Sequence, residues 1–125
     1  MARILVAEDE ERIRRILLLQ LELEGYEVGA AASGQECLDS VDTYRPDLLI
    51  LDYLLPDLSG DEIIGVLRRE PATRSLAVIL LSGLDPDLME PELLSDERVL
   101  FLSKPFENSD LLDLVEQALA PVDNE

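Results

Sequence analysis

At 125 residues with 47% hydrophobic side chains, the chain holds enough apolar material for one domain with its own core and too little for two. Twenty-eight acidic residues against ten basic ones give a net charge of −18, which argues against direct nucleic-acid binding and against an anionic membrane surface. A lone cysteine, Cys37, and the absence of histidine exclude a disulfide framework, a thiolate or imidazole metal site, and histidine-based catalysis.

In chain order, short apolar runs alternate with helical patterns. Residues 4–7 read as a strand that stops at Glu8-Asp9. Ile13, Ile16, Leu17, Leu21 and Leu23 then fit an amphipathic helix ended by Gly25. Residues 27–32 read as a second strand with Val28 as its best core residue, and Ser33 is placed to cap a short helix through Val41. Residues 48–51 form a third strand, apolar on both faces, that ends at Asp52. A loop over 53–60, marked by Pro56 and Gly60, leads into a helix over 61–69 that Gly65 weakens. Residues 77–81 are a fourth buried strand ending at Ser82-Gly83. The stretch 85–95 has helical composition, but Pro91 must break or kink it. A fifth strand over 98–102 ends before Lys104-Pro105, and a last helix over 109–119 carries Leu111, Leu112, Val115 and Leu119 on one stripe. Residues 1–120 are thus expected to form one domain, with 121–125 a tail or the start of a linker. No signal-peptide pattern opens the chain and no apolar run reaches membrane-spanning length, so the expected location is the cytoplasm, with no membrane insertion.

Five strand–helix units with wholly apolar third and fourth strands predict an α/β fold: an open, doubly wound parallel sheet with helices on both faces. In such sheets the working crevice lies at the carboxyl ends of the strands. The residues leaving the strands there are Glu8 and Asp9, Asp52, Ser82, and Lys104, which is the only lysine. Singly, each has an ordinary explanation as a helix-start acid, a turn residue or a surface lysine. Together they describe a metal-assisted phosphoryl site. Crowded carboxylates are tolerable around a hard cation such as Mg²⁺, a carboxylate can serve as nucleophile, and a lysine and a hydroxyl can balance phosphoryl oxygens.

The stretches ILVAEDE over 4–10, PDLLILD over 46–52, DYLLP over 52–56 with Gly60, ILLSG over 79–83 and LSKPF over 102–106 resemble the receiver domain of bacterial two-component response regulators, of the chemotaxis-regulator type, over nearly the whole chain. The resemblance implies the flavodoxin-like strand order 2-1-3-4-5. It implies that Asp52 accepts a phosphoryl group from a sensor histidine kinase or a histidine phosphotransfer protein. Asp9, Asp52 and the backbone carbonyl of Leu54 would ligate Mg²⁺, or Mn²⁺ in its place, with Glu8 acting mostly through a metal-bound water. Lys104 would pair with the phosphoryl group across a cis bond to Pro105. Ser82 would move toward that group and draw the switch residue, Phe101, inward. The chain would then be a phosphoacceptor and not an enzyme, with at most slow autodephosphorylation. Its output would be a downstream target or a fused output domain.

Three positions depart from the family pattern. Phe101 lacks the usual tyrosine hydroxyl, Asp96-Glu97 replace a Gly-Ala pair, and Pro91 interrupts the fourth helix. The last helix carries Glu107, Asp110, Asp113 and Glu116 with no basic residue after Lys104, which argues against paired receivers held by reciprocal salt bridges. Three other readings compete. A flavin-binding flavodoxin would need a Ser/Thr/Gly-rich phosphate loop after the first strand, where Glu8-Asp9-Glu10-Glu11 would repel a phosphate. An aspartyl-nucleophile phosphatase would want a second acid where Leu54 stands. A phosphorylation-independent pseudo-receiver, acting as a protein-interaction module, should have lost one of the acids or the lysine.

Overall fold

The computed structural model describes residues 2–120; the tail expected over 121–125 lies outside the described residues. Strands β1 (Arg3–Ala7), β2 (Glu27–Ala31), β3 (Leu48–Asp52), β4 (Ala77–Ser82) and β5 (Val99–Ser103) alternate with helices α1 (Glu11–Leu23), α2 (Gly34–Tyr44), α3 (Gly60–Arg69), α4 (Pro91–Leu94) and α5 (Asn108–Leu119). All strand pairings are parallel, as the apolar strand pattern predicts, and the order is β2-β1-β3-β4-β5, as the resemblance implies. Among the described residues no helix is long and apolar enough to cross a membrane.

Alternation along the strands divides the core into two layers. Leu5, Ala7, Leu49, Leu51, Val78 and Leu80 face one side, with Cys37 and Val41 of α2, Ile63 and Leu67 of α3 and Leu93 of α4. Ile4, Val6, Leu48, Ile50, Ile79 and Leu81 face the other, with Leu17 and Leu21 of α1 and Leu111 and Val115 of α5. Every residue of β3 and β4 is buried, so no position in either strand can carry an unpaired polar side chain except at its end.

The structure corrects two sequence expectations about burial. Ala31, not Val28, is the fully buried residue of β2: Ala31 lies in the layer under α2, whereas Val28, on the other face of this edge strand, is only partly covered by the layer that holds α1. Ile16 and Leu23 of α1 stand 53% and 70% exposed; the buried stripe is the narrower Leu17–Leu21 pair. Chain punctuation follows side-chain chemistry. Ser33 caps α2 by accepting from the Glu36 N–H at 3.1 Å. Ser59 and Glu62 close a reciprocal capping box on α3, which runs through Gly65 unbroken. Gly25, at φ +92°, makes the turn after α1 that a side chain would strain. Between β4 and β5 the helical stretch resolves into a 3-10 turn (Pro86–Leu88) and the four-residue α4, with Pro91 opening the helix from its first turn.

Candidate functional site

Each strand that ends near the middle of the sheet delivers one polar group to the same edge. Asp52 closes β3 and Ser82 closes β4, both buried, while Glu8 and Lys104 follow β1 and β5 directly. Backbone hydrogen bonds continue the strand pattern past the sheet and fix these departures. Glu8 N–H donates to Ala31 O at 3.0 Å, Tyr53 N–H to Leu81 O at 2.9 Å, and Lys104 N–H to Ser82 O at 2.8 Å. The Lys104–Pro105 bond is cis, as expected.

The side chains converge. Lys104 Nζ lies 3.2 Å from Glu8 Oε1 and 3.3 Å from Asp52 Oδ2. Glu8, Asp9 and Asp52 each offer a carboxylate oxygen, and the three lie within 4.8 Å of one another. Their exposures differ: Glu8 is 1% exposed and Asp52 8%, whereas Asp9 is open to solvent. The site therefore has a buried floor, where the lysine and two acids meet, and an acidic rim.

Three carboxylates against one ammonium cannot all be comfortable, and Glu8 takes the strain. Burial first, and then the adjoining Asp52 carboxylate, push its carboxyl up from 4.5 to about 7, against the pull of the Glu10 N–H and Lys104. Burial disfavours the Lys104 ammonium, but the Asp52 and Glu8 carboxylates outweigh it and hold its pKa above the usual lysine value. Hard oxygen donors, crowded and short of two positive charges when all three acids are ionised, are a donor set that fits a divalent cation such as Mg²⁺.

Ser82 Oγ accepts from the Leu84 N–H at 2.9 Å, which leaves its hydroxyl proton free to donate. Phe101 of β5 is half-buried and packs on the core, and with Ser82, Leu84 and Met89 it lines a small cleft. Leu54 stands 58% exposed beside the acids, its N–H on Asp52 Oδ1 at 3.3 Å. A larger apolar groove of about 480 Å³ opens beside Lys104, lined by Ile13, Ile16, Phe106 and Leu111.

Sequence reasoning missed two supporting residues. Arg14 of α1 donates from Nη1 to the backbone carbonyls of Glu8 at 2.9 Å and Asp9 at 3.4 Å, pinning the acidic loop. The usable signal was its place one helical turn inside α1, facing back on the loop. Asp96, an apparent departure, accepts from Arg68 Nε at 2.6 Å and from the Arg98 N–H at 2.8 Å, so it joins α3 to the start of β5.

Comparison with known proteins agrees with this geometry. The family model described as "Response regulator receiver domain" matches residues 4–116. The phosphate regulon transcriptional regulatory protein PhoB of Rhizobium meliloti is 35% identical over 117 residues, covering 94% of this chain and 52% of that protein. The alkaline phosphatase synthesis transcriptional regulatory protein PhoP of Bacillus subtilis is 36% identical over 107 residues, covering 83% and 42%. The solved structure of the chemotaxis response regulator CheY4 of Vibrio cholerae superposes with a TM-score of 0.86 at 28% identity, covering 95% of this chain and 99% of that one. The chain spans about half the length of the curated relatives it matches.

Proposed function

The chain belongs to the response regulator receiver-domain family, and from that membership we propose that it is a phosphorylation-operated switch whose acceptor is Asp52. The observation that carries this reading is the Lys104 ammonium set between Glu8 and Asp52 at the sheet edge. Receiver domains bind Mg²⁺ at an acidic pocket. Here the ligand set would be Asp9, Asp52 and the Leu54 carbonyl, with Glu8 acting through a metal-bound water; Mn²⁺ suits the same oxygens. A bound divalent ion supplies positive charge to the oxygens of the transferring group.

The chain's own residues do the rest. An Asp52 oxygen attacks the phosphorus of a phosphohistidine on a sensor kinase or phosphotransfer protein. A P–O bond forms as the donor's P–N bond breaks, and the imidazole nitrogen leaves with the electron pair. Lys104 offsets charge on the phosphoryl oxygens, and the Ser82 hydroxyl donates to one of them. That new bond draws Ser82 from its own loop, and Phe101 follows into the cleft behind it. The chain is the acceptor of this chemistry and not a turnover enzyme, because Leu54 offers no acid to protonate a leaving group. The pseudo-receiver alternative is not supported: Glu8, Asp9, Asp52 and Lys104 are all present and converge, and Ser82 stands at the end of the neighbouring strand. A changed protein-binding face is the proposed output.

Acetyl phosphate with Mg²⁺, followed by intact mass, tests the assignment. One phosphoryl group is expected on the wild type and none on Asp52→Asn or in excess chelator. Full labelling of the variant, or normal labelling in chelator, overturns it.

A further inference from the structure

We propose that Asp57 is a positioning residue that fixes the metal-binding loop against α2 and so holds the Leu54 carbonyl in place for a divalent cation. This rests on the ligand set proposed above. The loop between β3 and α3 is a tight hairpin: Gly60 N–H donates to Tyr53 O at 2.7 Å, Leu55 N–H to Leu58 O at 3.3 Å, and Leu54 and Ser59 bridge antiparallel. Leu54 sits near its base and Asp57 at its tip. These internal bonds set the hairpin's shape but not the angle at which it leaves the sheet.

Contacts at the tip set that angle. Asp57 Oδ1 accepts from the Gly34 N–H at 2.7 Å and Oδ2 from the Gln35 N–H at 3.0 Å, a two-oxygen clamp on the first free donors of α2. Leu58 presses on the same point. A Cβ on Gly34 would lie 2.7 Å from Leu58 Cβ and 2.8 Å from its Cδ1, so the loop rests on bare backbone. The helix beneath is a firm support, because Cys37 and Val41 are buried in the core and Ser33 caps it independently. Strand β2 sends no side chain into the acid cluster, yet the helix that follows it holds the loop that completes the cluster.

A plain helix cap would show the same two hydrogen bonds, and Ser33 separates the cases, since it caps the same helix without touching the loop. MgCl₂ is titrated calorimetrically into the wild-type chain, Asp57→Ala, Asp57→Asn and Ser33→Ala, with urea unfolding of each metal-free protein as the stability reference. Asp57→Ala should weaken Mg²⁺ binding by about tenfold, the lower end for loss of a residue that orients a ligand. Asp57→Asn, which keeps one acceptor oxygen, should weaken it less. Ser33→Ala should lower stability and leave the Mg²⁺ affinity unchanged. Wild-type affinity in Asp57→Ala, or an equal loss in Ser33→Ala, overturns the inference while leaving the ligand set standing. Absence of Mg²⁺ binding by the wild type overturns both.

Discussion

Without metal, the stability of this domain should fall as pH rises through the window from about 4.5 to 7, and Glu8 should be the cause. Its carboxyl is raised from 4.5 to about 7 in the folded state. Between those values the native chain holds a proton that the unfolded chain releases, so ∂ΔG/∂pH is negative: the contribution is fully present below pH 4.5 and lost by pH 7. A shift of that size corresponds to about 3 kcal/mol at 1.36 kcal/mol per pH unit. Screening by solvent at the exposed Asp9 side of the cluster reduces the expected effect to roughly 1–2 kcal/mol. With an unfolding entropy of about 2.1 cal/mol/K per residue, that is roughly a 4–8 °C fall in melting temperature. The chain carries twenty-eight acidic residues, so the diagnostic quantity is a difference between two proteins that share all of them but one. Glu8→Gln keeps the shape and removes the titration. Melting curves of both proteins in chelator, from pH 5 to 7.5, should diverge by that amount. Millimolar Mg²⁺ should close the gap by holding Glu8 charged and should raise the wild-type melting temperature by mass action. Parallel curves for the two proteins in chelator would refute the reasoning.

The remaining expectations test other parts of the structure. Leu54, two residues after Asp52, and Leu84, two after Ser82, carry no group that could orient a water at the proposed acceptor, so the acyl phosphate should be long-lived. Leu54→Asn with Leu84→Glu should speed its decay, by less than the ~10²–10⁴ of full acid–base assistance, in a dephosphorylation time course; an unchanged rate would sink the idea. Asp96→Ala strips the half-buried Arg68 of its carboxylate partner and should cost about 1–3 kcal/mol in urea unfolding, whereas a change below 0.5 kcal/mol would show the bridge to be idle (~1–3 being the penalty for an orphaned group). Gly34→Ala drives a methyl into Leu58 and should cost about 1–3 kcal/mol, with calorimetry as the check and a neutral result as the refutation.

Much of this was legible because sheet burial constrains sequence so strongly. A strand covered on both faces must be apolar throughout, which marks β3 and β4 and makes Asp52 and Ser82 conspicuous at their ends. Parallel strands put those ends on one edge, so the convergence of Glu8, Asp52 and Lys104 follows from topology. What stayed hidden depends on where elements meet. Helical periodicity selects Ile16 as readily as Leu17, but the width of the sheet beneath α1 decides which is covered. Val28 outranks Ala31 in size, yet β2 is an edge strand buried chiefly at one end. The clamp of Asp57 on Gly34 and Gln35 and the pairing of Arg68 with Asp96 join positions 22 to 28 residues apart, and no local pattern announces them.

The Lys104–Glu8 ion pair joins positions 96 residues apart, one just after β1 and the other just after β5. During synthesis Glu8 and Asp52 emerge before Lys104, the one cation paired with them among the described residues. Until then β1 and β3 can pair, but they carry an edge of bare, mutually repelling carboxylates. Closure of β5 on β4 therefore brings in the one ammonium that offsets part of that repulsion. A nascent or nicked chain lacking that strand would hold Glu8 and Asp52 without the lysine that pairs with both, so the ion pairs form only once the chain has been made as far as Lys104.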